Sequence, residues 1–173
     1  YTTGREMTQI MDTFTKMSGN NYSPGTITGK PIPVGGSLAR NVATGLGNAY
    51  CIREAAKILN IDLKGAKVVL QGFGNASTFS GEYLEKMGAK CIAASDSKGS
   101  ILVPDGFKVQ DLIDYKQKEG SVVGYPGSKE ISTEELLTTD CEILVPGALE
   151  NQITAEIAEK LKCKIIGEAA NGP

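Results

Sequence analysis

The run Val68-Val69-Leu70-Gln71 and the segment behind it, Gly72-Phe73-Gly74-Asn75-Ala76-Ser77, leave this chain few folds to choose from. A short β-branched apolar run reads as a buried strand, and the glycines behind it as a tight turn. Phe79, Tyr83, Leu84 and Met87 then recur at helical spacing, closed by Gly88. A second apolar run, Cys91-Ile92-Ala93-Ala94, ends in Ser95-Asp96. Strand, glycine turn, helix and strand make a βαβ unit, and Asp96 stands about two dozen residues beyond Gly72. A dinucleotide asks for this pattern. Gly72 permits the turn, Gly74 lets a pyrophosphate approach bare backbone, and the helix N-terminus behind it offers unpaired N–H groups. Ser77 takes the place of the third small residue, and an acid at Asp96 suits a ribose hydroxyl.

The rest of the chain alternates in the same way. Arg5–Ser18 is expected to be a helix with Met7, Ile10, Met11, Phe14 and Met17 on one face, a stripe suited to core or interface. Pro24–Gly36 has no periodicity, and loops of that length tend to be functional or linking. Thr44–Leu59 reads as a long helix, with Thr44 a candidate N-cap. Good strands are expected at Lys67–Gln71, Lys90–Ser95, Glu142–Val145 and Lys164–Gly167. A short strand is expected over Gly99–Val103, and Pro104-Asp105-Gly106 reads as a turn. Helices are expected over Val109–Lys118, from Ser132 onward, and over Ile153–Leu161. This alternation predicts a Rossmann-like, doubly wound, mainly parallel α/β sheet. Such folds normally carry about six strands, so it is expected to be truncated in its C-terminal half.

At 173 residues with 40% hydrophobic content the chain can bury a full core. A formal net charge of −2 points to no nucleic-acid or anionic-membrane partner, and no apolar run reaches the length of a bilayer span. The N-terminal Tyr1-Thr2-Thr3-Gly4 does not read as a signal peptide. With no histidine, a Ser-His-Asp triad or a zinc–histidine site within this chain is excluded, and no metal site is expected. Cys51, Cys91, Cys141 and Cys163 form no C-x-x-C pair and are expected to be buried free thiols of a cytoplasmic protein.

Beyond the glycine turn, several motifs follow in order: Gly29-Lys30-Pro31, Gly35-Gly36-Ser37-Leu38, Arg40, Ala43-Thr44-Gly45, Ser95-Asp96-Ser97-Lys98-Gly99, Pro146-Gly147-Ala148-Leu149-Glu150-Asn151-Gln152-Ile153, and Glu168-Ala169-Ala170-Asn171-Gly172-Pro173. Together they resemble the cofactor-domain region of glutamate dehydrogenases, in the wider family that includes leucine, phenylalanine and valine dehydrogenases. The resemblance covers essentially the whole chain. It implies reversible oxidative deamination of L-glutamate to 2-oxoglutarate and ammonia, with hydride transfer to NAD or NADP.

It also implies roles for particular residues. Thr44 and Asn75 would hold the nicotinamide carboxamide, and Arg40 would sit at the cleft facing a substrate domain. Gly72, Phe73, Gly74, Asn75, Ala76 and Ser77 would cradle the pyrophosphate. Asp96, Ser97 and Lys98 would surround the adenosine ribose, with Ala148 and Asn171 on the nicotinamide-ribose side. Residues 1–35 are expected to be a connector or remnant of the substrate domain, and 36–173 the NAD(P)-binding domain. No catalytic residue is expected here, because the family's lysines and aspartate lie in a preceding domain. The fragment alone is expected to be inactive and not to form the parent's homohexamer. Asp96 favours NAD, whereas Lys98 beside Ser97 suits a 2′-phosphate, so both coenzymes are expected to bind. The rivals are a branched-chain or aromatic amino-acid dehydrogenase, a methyltransferase on a similar fold, and a non-catalytic nucleotide-binding module.

Overall fold

A computed structural model describes residues 2–171. The chain divides into two compact units between Ala43 and Thr44.

The first unit holds a helix, α1 (Gly4–Met17), and a loop with two short 3-10 turns, Pro24–Thr26 and Ile32–Val34. Thr3 caps α1 in a reciprocal capping box with Glu6, which satisfies amides that the first helical turn leaves open. Of the apolar stripe, Met11 is buried, whereas Phe14 and Met17 are exposed. The long loop is ordered by close backbone packing. A Cβ on Gly36 would lie 2.0 Å from the Lys30 carbonyl oxygen, so only glycine fits there. Lys30 is buried, and its ammonium donates to the carbonyls of Pro24 and Ile27.

The next helix, α2, spans Arg40–Ile58. It starts a turn before Thr44, because Ala39-Arg40-Asn41-Val42-Ala43 contains neither proline nor glycine to stop it. Thr44 is therefore inside the helix and is not its N-cap.

The second unit is built on one six-stranded sheet. Its elements are β1 (Lys67–Gln71), α3 (Asn75–Lys86), β2 (Lys90–Ser95), β3 (Ser100–Phe107), α4 (Val109–Glu119), β4 (Lys129–Ile131), α5 (Thr133–Leu137), β5 (Ile143–Pro146), α6 (Ala155–Ala158) and β6 (Ile165–Ile166). The strand order is β4-β3-β2-β1-β5-β6. The pairs β1–β2, β1–β5 and β5–β6 are parallel, whereas β2–β3 and β3–β4 are antiparallel.

Three expectations are corrected here. The sheet has six strands, because β3 is a full strand and Lys129–Ile131 adds an edge. Pro104-Asp105-Gly106 does not turn; β3 runs through it, with an irregular register against β2 and Gly106 at φ +76°. Proline is tolerated there because β4 pairs only with Ser100, Ile101 and Leu102, so its missing N–H faces no partner strand. Finally, the helix expected over Ile153–Leu161 shrinks to one turn, since the Thr154 hydroxyl accepts from the Ile157 amide and starts the helix late.

Strand alternation divides the core. Val68, Leu70, Cys91, Ala94, Ile143 and Val145 face one layer with Ile52 of α2, Leu84 of α3 and Leu112 of α4. Val69, Ile92, Ala93 and Leu144 face the other, with Leu136 and Leu137 of α5. Burial of both faces explains why β1 reads as a continuous apolar run. Cys91 and Cys141 are buried, and desolvation pushes both thiols up to about 12. The expectation of buried thiols is corrected for Cys51, which is exposed on α2, and for Cys163, which is only half-buried.

Candidate nucleotide crevice

The strand order reverses at β1, which lies between β2 and β5. In open α/β sheets the carboxyl ends of such strands form the ligand crevice. Here those ends are joined by short bonds: the Gly147 amide donates to the Gln71 carbonyl at 2.8 Å, and the Gly72 amide to the Ser95 hydroxyl at 2.9 Å. Gly72 has φ +86°, and a Cβ on it would meet the Ala148 Cβ at 2.8 Å. Both the conformation and the contact demand glycine.

Gly74 differs. Its backbone is extended, it caps α3 without a side chain, and a Cβ there would meet nothing within 4 Å. The fold leaves that space open. Asn75 is exposed, and Ala76 is half-buried on the same first turn. Ser77 is fully buried and packs so closely on Gly147 that a Cβ there would lie 2.0 Å from the Ser77 hydroxyl. That hydroxyl has no hydrogen-bond partner among the described residues. Phe73 turns its ring into the core, so only its backbone lines the turn.

Thr44 sits one residue before Gly45, where a Cβ would lie 2.5 Å from Phe79 and 2.7 Å from the Ala76 carbonyl oxygen. This close crossing brings Thr44 beside the first turn of α3. Thr44 also lines a cavity of about 440 Å³ with Asn48, Cys51, Gly167, Glu168 and Ala169. The Asn48 amide donates to the Glu168 carbonyl at 3.0 Å and fixes α2 against the tail of β6. Asn171 is exposed a little further along that tail. Arg40 belongs to the first unit, where it is exposed and lines a small cavity with Lys30 and Ser37.

The end of β2 is arranged in a way the sequence does not suggest. The Asp96 side chain is 5% exposed. It accepts from the Lys98 amide at 2.8 Å, the Val122 amide at 2.8 Å and the Ser121 hydroxyl at 3.2 Å, and the Lys116 ammonium lies 4.0 Å away. Burial pushes this carboxyl up, but those hydrogen bonds and the lysine outweigh it and hold it below the ordinary aspartate range. Ser97 and Lys98 are exposed. Lys116 is the residue that sequence reasoning missed. From α4 its ammonium donates to the Phe73 carbonyl at 2.8 Å, which links the glycine turn to Asp96. In the sequence it is one more position of a helical repeat, with nothing to connect it to a turn more than forty residues earlier.

These features define a Rossmann-like α/β domain, its crevice at the reversal point of a mostly parallel sheet. The chain belongs to the glutamate/leucine/phenylalanine/valine dehydrogenase family, whose profile matches residues 35–173. It is 44% identical over its whole length to a cryptic catabolic NAD-specific glutamate dehydrogenase of Bacillus subtilis, and covers 40% of that protein. It is 46% identical to a glutamate dehydrogenase of Thermotoga maritima, over 96% of this chain and 40% of the relative. Among solved structures it is similar to a hetero-hexameric glutamate dehydrogenase from Thermus thermophilus, with TM-score 0.86 and 29% identity over 98% of this chain and 40% of that one. It is also similar to the Plasmodium falciparum glutamate dehydrogenase, with TM-score 0.85 and 32% identity over 99% of this chain and 38% of that one. The chain thus spans about 40% of the length of these relatives.

Proposed function

We propose that this chain is the coenzyme-binding part of a glutamate dehydrogenase. The parent reaction is the reversible oxidative deamination of L-glutamate to 2-oxoglutarate and ammonia, with NAD or NADP supplying the hydride acceptor. One observation carries the reading: at the reversal point, open space over Gly74 adjoins the backbone amides of the first turn of α3. These groups fit a pyrophosphate, which brings negative charge and acceptor oxygens to a helix N-terminus.

In this reading Gly72 to Ser77 hold the pyrophosphate. Thr44, Asn75, Ala148 and Asn171 orient the nicotinamide end, and Arg40 serves the substrate side. The domain's contribution is positional: it presents the nicotinamide to a substrate held by the rest of the enzyme. No carboxylate, lysine or tyrosine of this crevice is assigned a proton-transfer role, and the isolated chain is expected not to turn over glutamate. The relatives named as NAD-specific support NAD. The ammoniums of Lys98 and Lys116 near the end of β2 admit NADP as well. Among the described residues no helix is long and apolar enough to cross a membrane, and the proposed setting is a cytoplasmic, hexameric parent.

Titration with reduced nicotinamide coenzyme, followed by its fluorescence, tests the binding reading. Saturable binding that wild-type chain shows and a Gly74→Val chain lacks is the expected result. Absence of binding to the wild type would leave a non-catalytic module as the better account. Turnover of the parent enzyme on glutamate, leucine, phenylalanine and valine separates the glutamate reading from its branched-chain and aromatic rivals.

A further inference from the structure

We propose that Cys141 and Cys163 form a reversible disulfide across the starts of β5 and β6 when the protein meets a thiol oxidant of the glutathione-disulfide class. The two strands are parallel, with Ile143 opposite Ile165 and Leu144 opposite Ile166. Just before the strands the chain bends at Glu142 and at Lys164, and the two segments stay bonded there. The amides of Lys164 and Ile165 donate to the Glu142 carbonyl at 3.1 and 3.0 Å, and the Glu142 and Lys164 side chains pair at 3.8 Å. One residue further back in each segment lie Cys141 and Cys163, near enough for the charge of one thiolate to be felt by the other. The strands paired at Ile143 and Ile165 lie about 4.8 Å apart, and a disulfide spans a Cα separation of roughly 4.4–6.8 Å, so two segments leaving that pair two residues earlier start within its reach. Both side chains pack into the same apolar cluster, with Val69, Leu136 and Leu144, and so lie on one side of the sheet. Cys91 belongs to the opposite core layer and Cys51 to α2, at the cavity beside Gly167, so neither competes for this partner.

The chemistry is a two-step exchange. The half-buried Cys163 thiolate attacks the oxidant's disulfide, forming a mixed disulfide and releasing one small thiol, which takes up a proton. Cys141 loses its proton, attacks the Cys163 sulfur and displaces the second small thiol. Two protein thiols are oxidised by two electrons, and the oxidant is reduced to two thiols. The bond closes a loop containing Gly147, Ala148 and Asn151, one wall of the proposed crevice, while lying at the far ends of the strands that bear it.

The test uses the intact protein. It is incubated with glutathione disulfide, then unfolded, blocked with N-ethylmaleimide and mapped by mass spectrometry. The expected result is a Cys141–Cys163 cross-link within one chain, removed by dithiothreitol, together with a thermal midpoint raised by about 5 °C. A Cys163→Ser chain should lose the link and keep Cys51 and Cys91 as they were. Independent alkylation of Cys141 and Cys163 after oxidation, or a glutathione adduct that persists on Cys163 with Cys141 free, overturns the proposal. The wild-type map decides this even if the variant fails to fold.

Discussion

The carboxyl ends of β1 and β2 lie side by side, yet they handle polar groups in opposite ways. At β1 the backbone is left open: Gly74 faces empty space at the N-terminus of α3. At β2 the protein satisfies its own acid, with two amides and a hydroxyl on Asp96 and Lys116 nearby. A helix N-terminus beside open space suits a site prepared for an anion. A carboxylate with its oxygens taken up is holding a loop together. Asp96 therefore reads first as the residue that joins the segment at Ser121-Val122 to the end of β2. Any contact with a ribose has to be shared with that task.

The largest expected effect separates two glycines of the same turn. Gly72→Val forces a β-branched residue to φ +86° and drives its Cβ into Ala148. It should cost about 3 kcal/mol or more in folding free energy, read as a lower midpoint in urea unfolding. Next comes Gly74→Val, which meets open space and an extended backbone. Its folding stability should stay within about 1 kcal/mol of wild type, while coenzyme affinity falls by about 100-fold or more. A Gly74→Val chain that unfolds as readily as Gly72→Val would erase the distinction between the two positions.

A smaller effect is expected at the other corner. Asp96→Asn keeps the shape but weakens the charge-assisted bonds, and should cost about 1–2 kcal/mol. The sign of its pH dependence follows from the direction of the shift. The folded carboxyl titrates below its unfolded value near 3.8, so its stabilisation is present above that pH and is lost as the pH falls through the folded value. Wild type should therefore lose stability below about pH 4 more steeply than Asp96→Asn, in denaturant melts from pH 3 to 7. Parallel pH profiles would show that Asp96 does not hold the loop through its charge.

The smallest effect concerns coenzyme choice. Lys98 is exposed, so a contact with a 2′-phosphate is worth a several-fold change in affinity and weakens with salt. Lys98→Glu should lower NADP affinity several-fold and leave NAD nearly unchanged in paired titrations at low salt. If the two coenzymes respond alike, Lys98 does not read the 2′-position, and Lys116 becomes the lysine to test.

The sequence by itself determined the pieces whose signal is local. Val68–Gln71 with its glycine turn, the helix that follows, and the strand ending at Asp96 were legible because apolar periodicity and glycine conformation depend on neighbours a few residues away. The family was legible for the same reason, as a series of short motifs in fixed order. Only the tertiary structure decided matters that depend on distant partners. Pro104-Asp105-Gly106 became strand because β2 lies alongside and no strand pairs with its other edge. Thr44 moved inside α2 because nothing before it stops the helix. Lys116 joined the glycine turn because α4 packs next to α3, and Asp96 turned inward because Ser121 and Val122 arrive there with donors to offer. No local pattern encodes those meetings. They follow from strand order and helix packing, and it is those meetings that make one corner of the crevice open and the other closed.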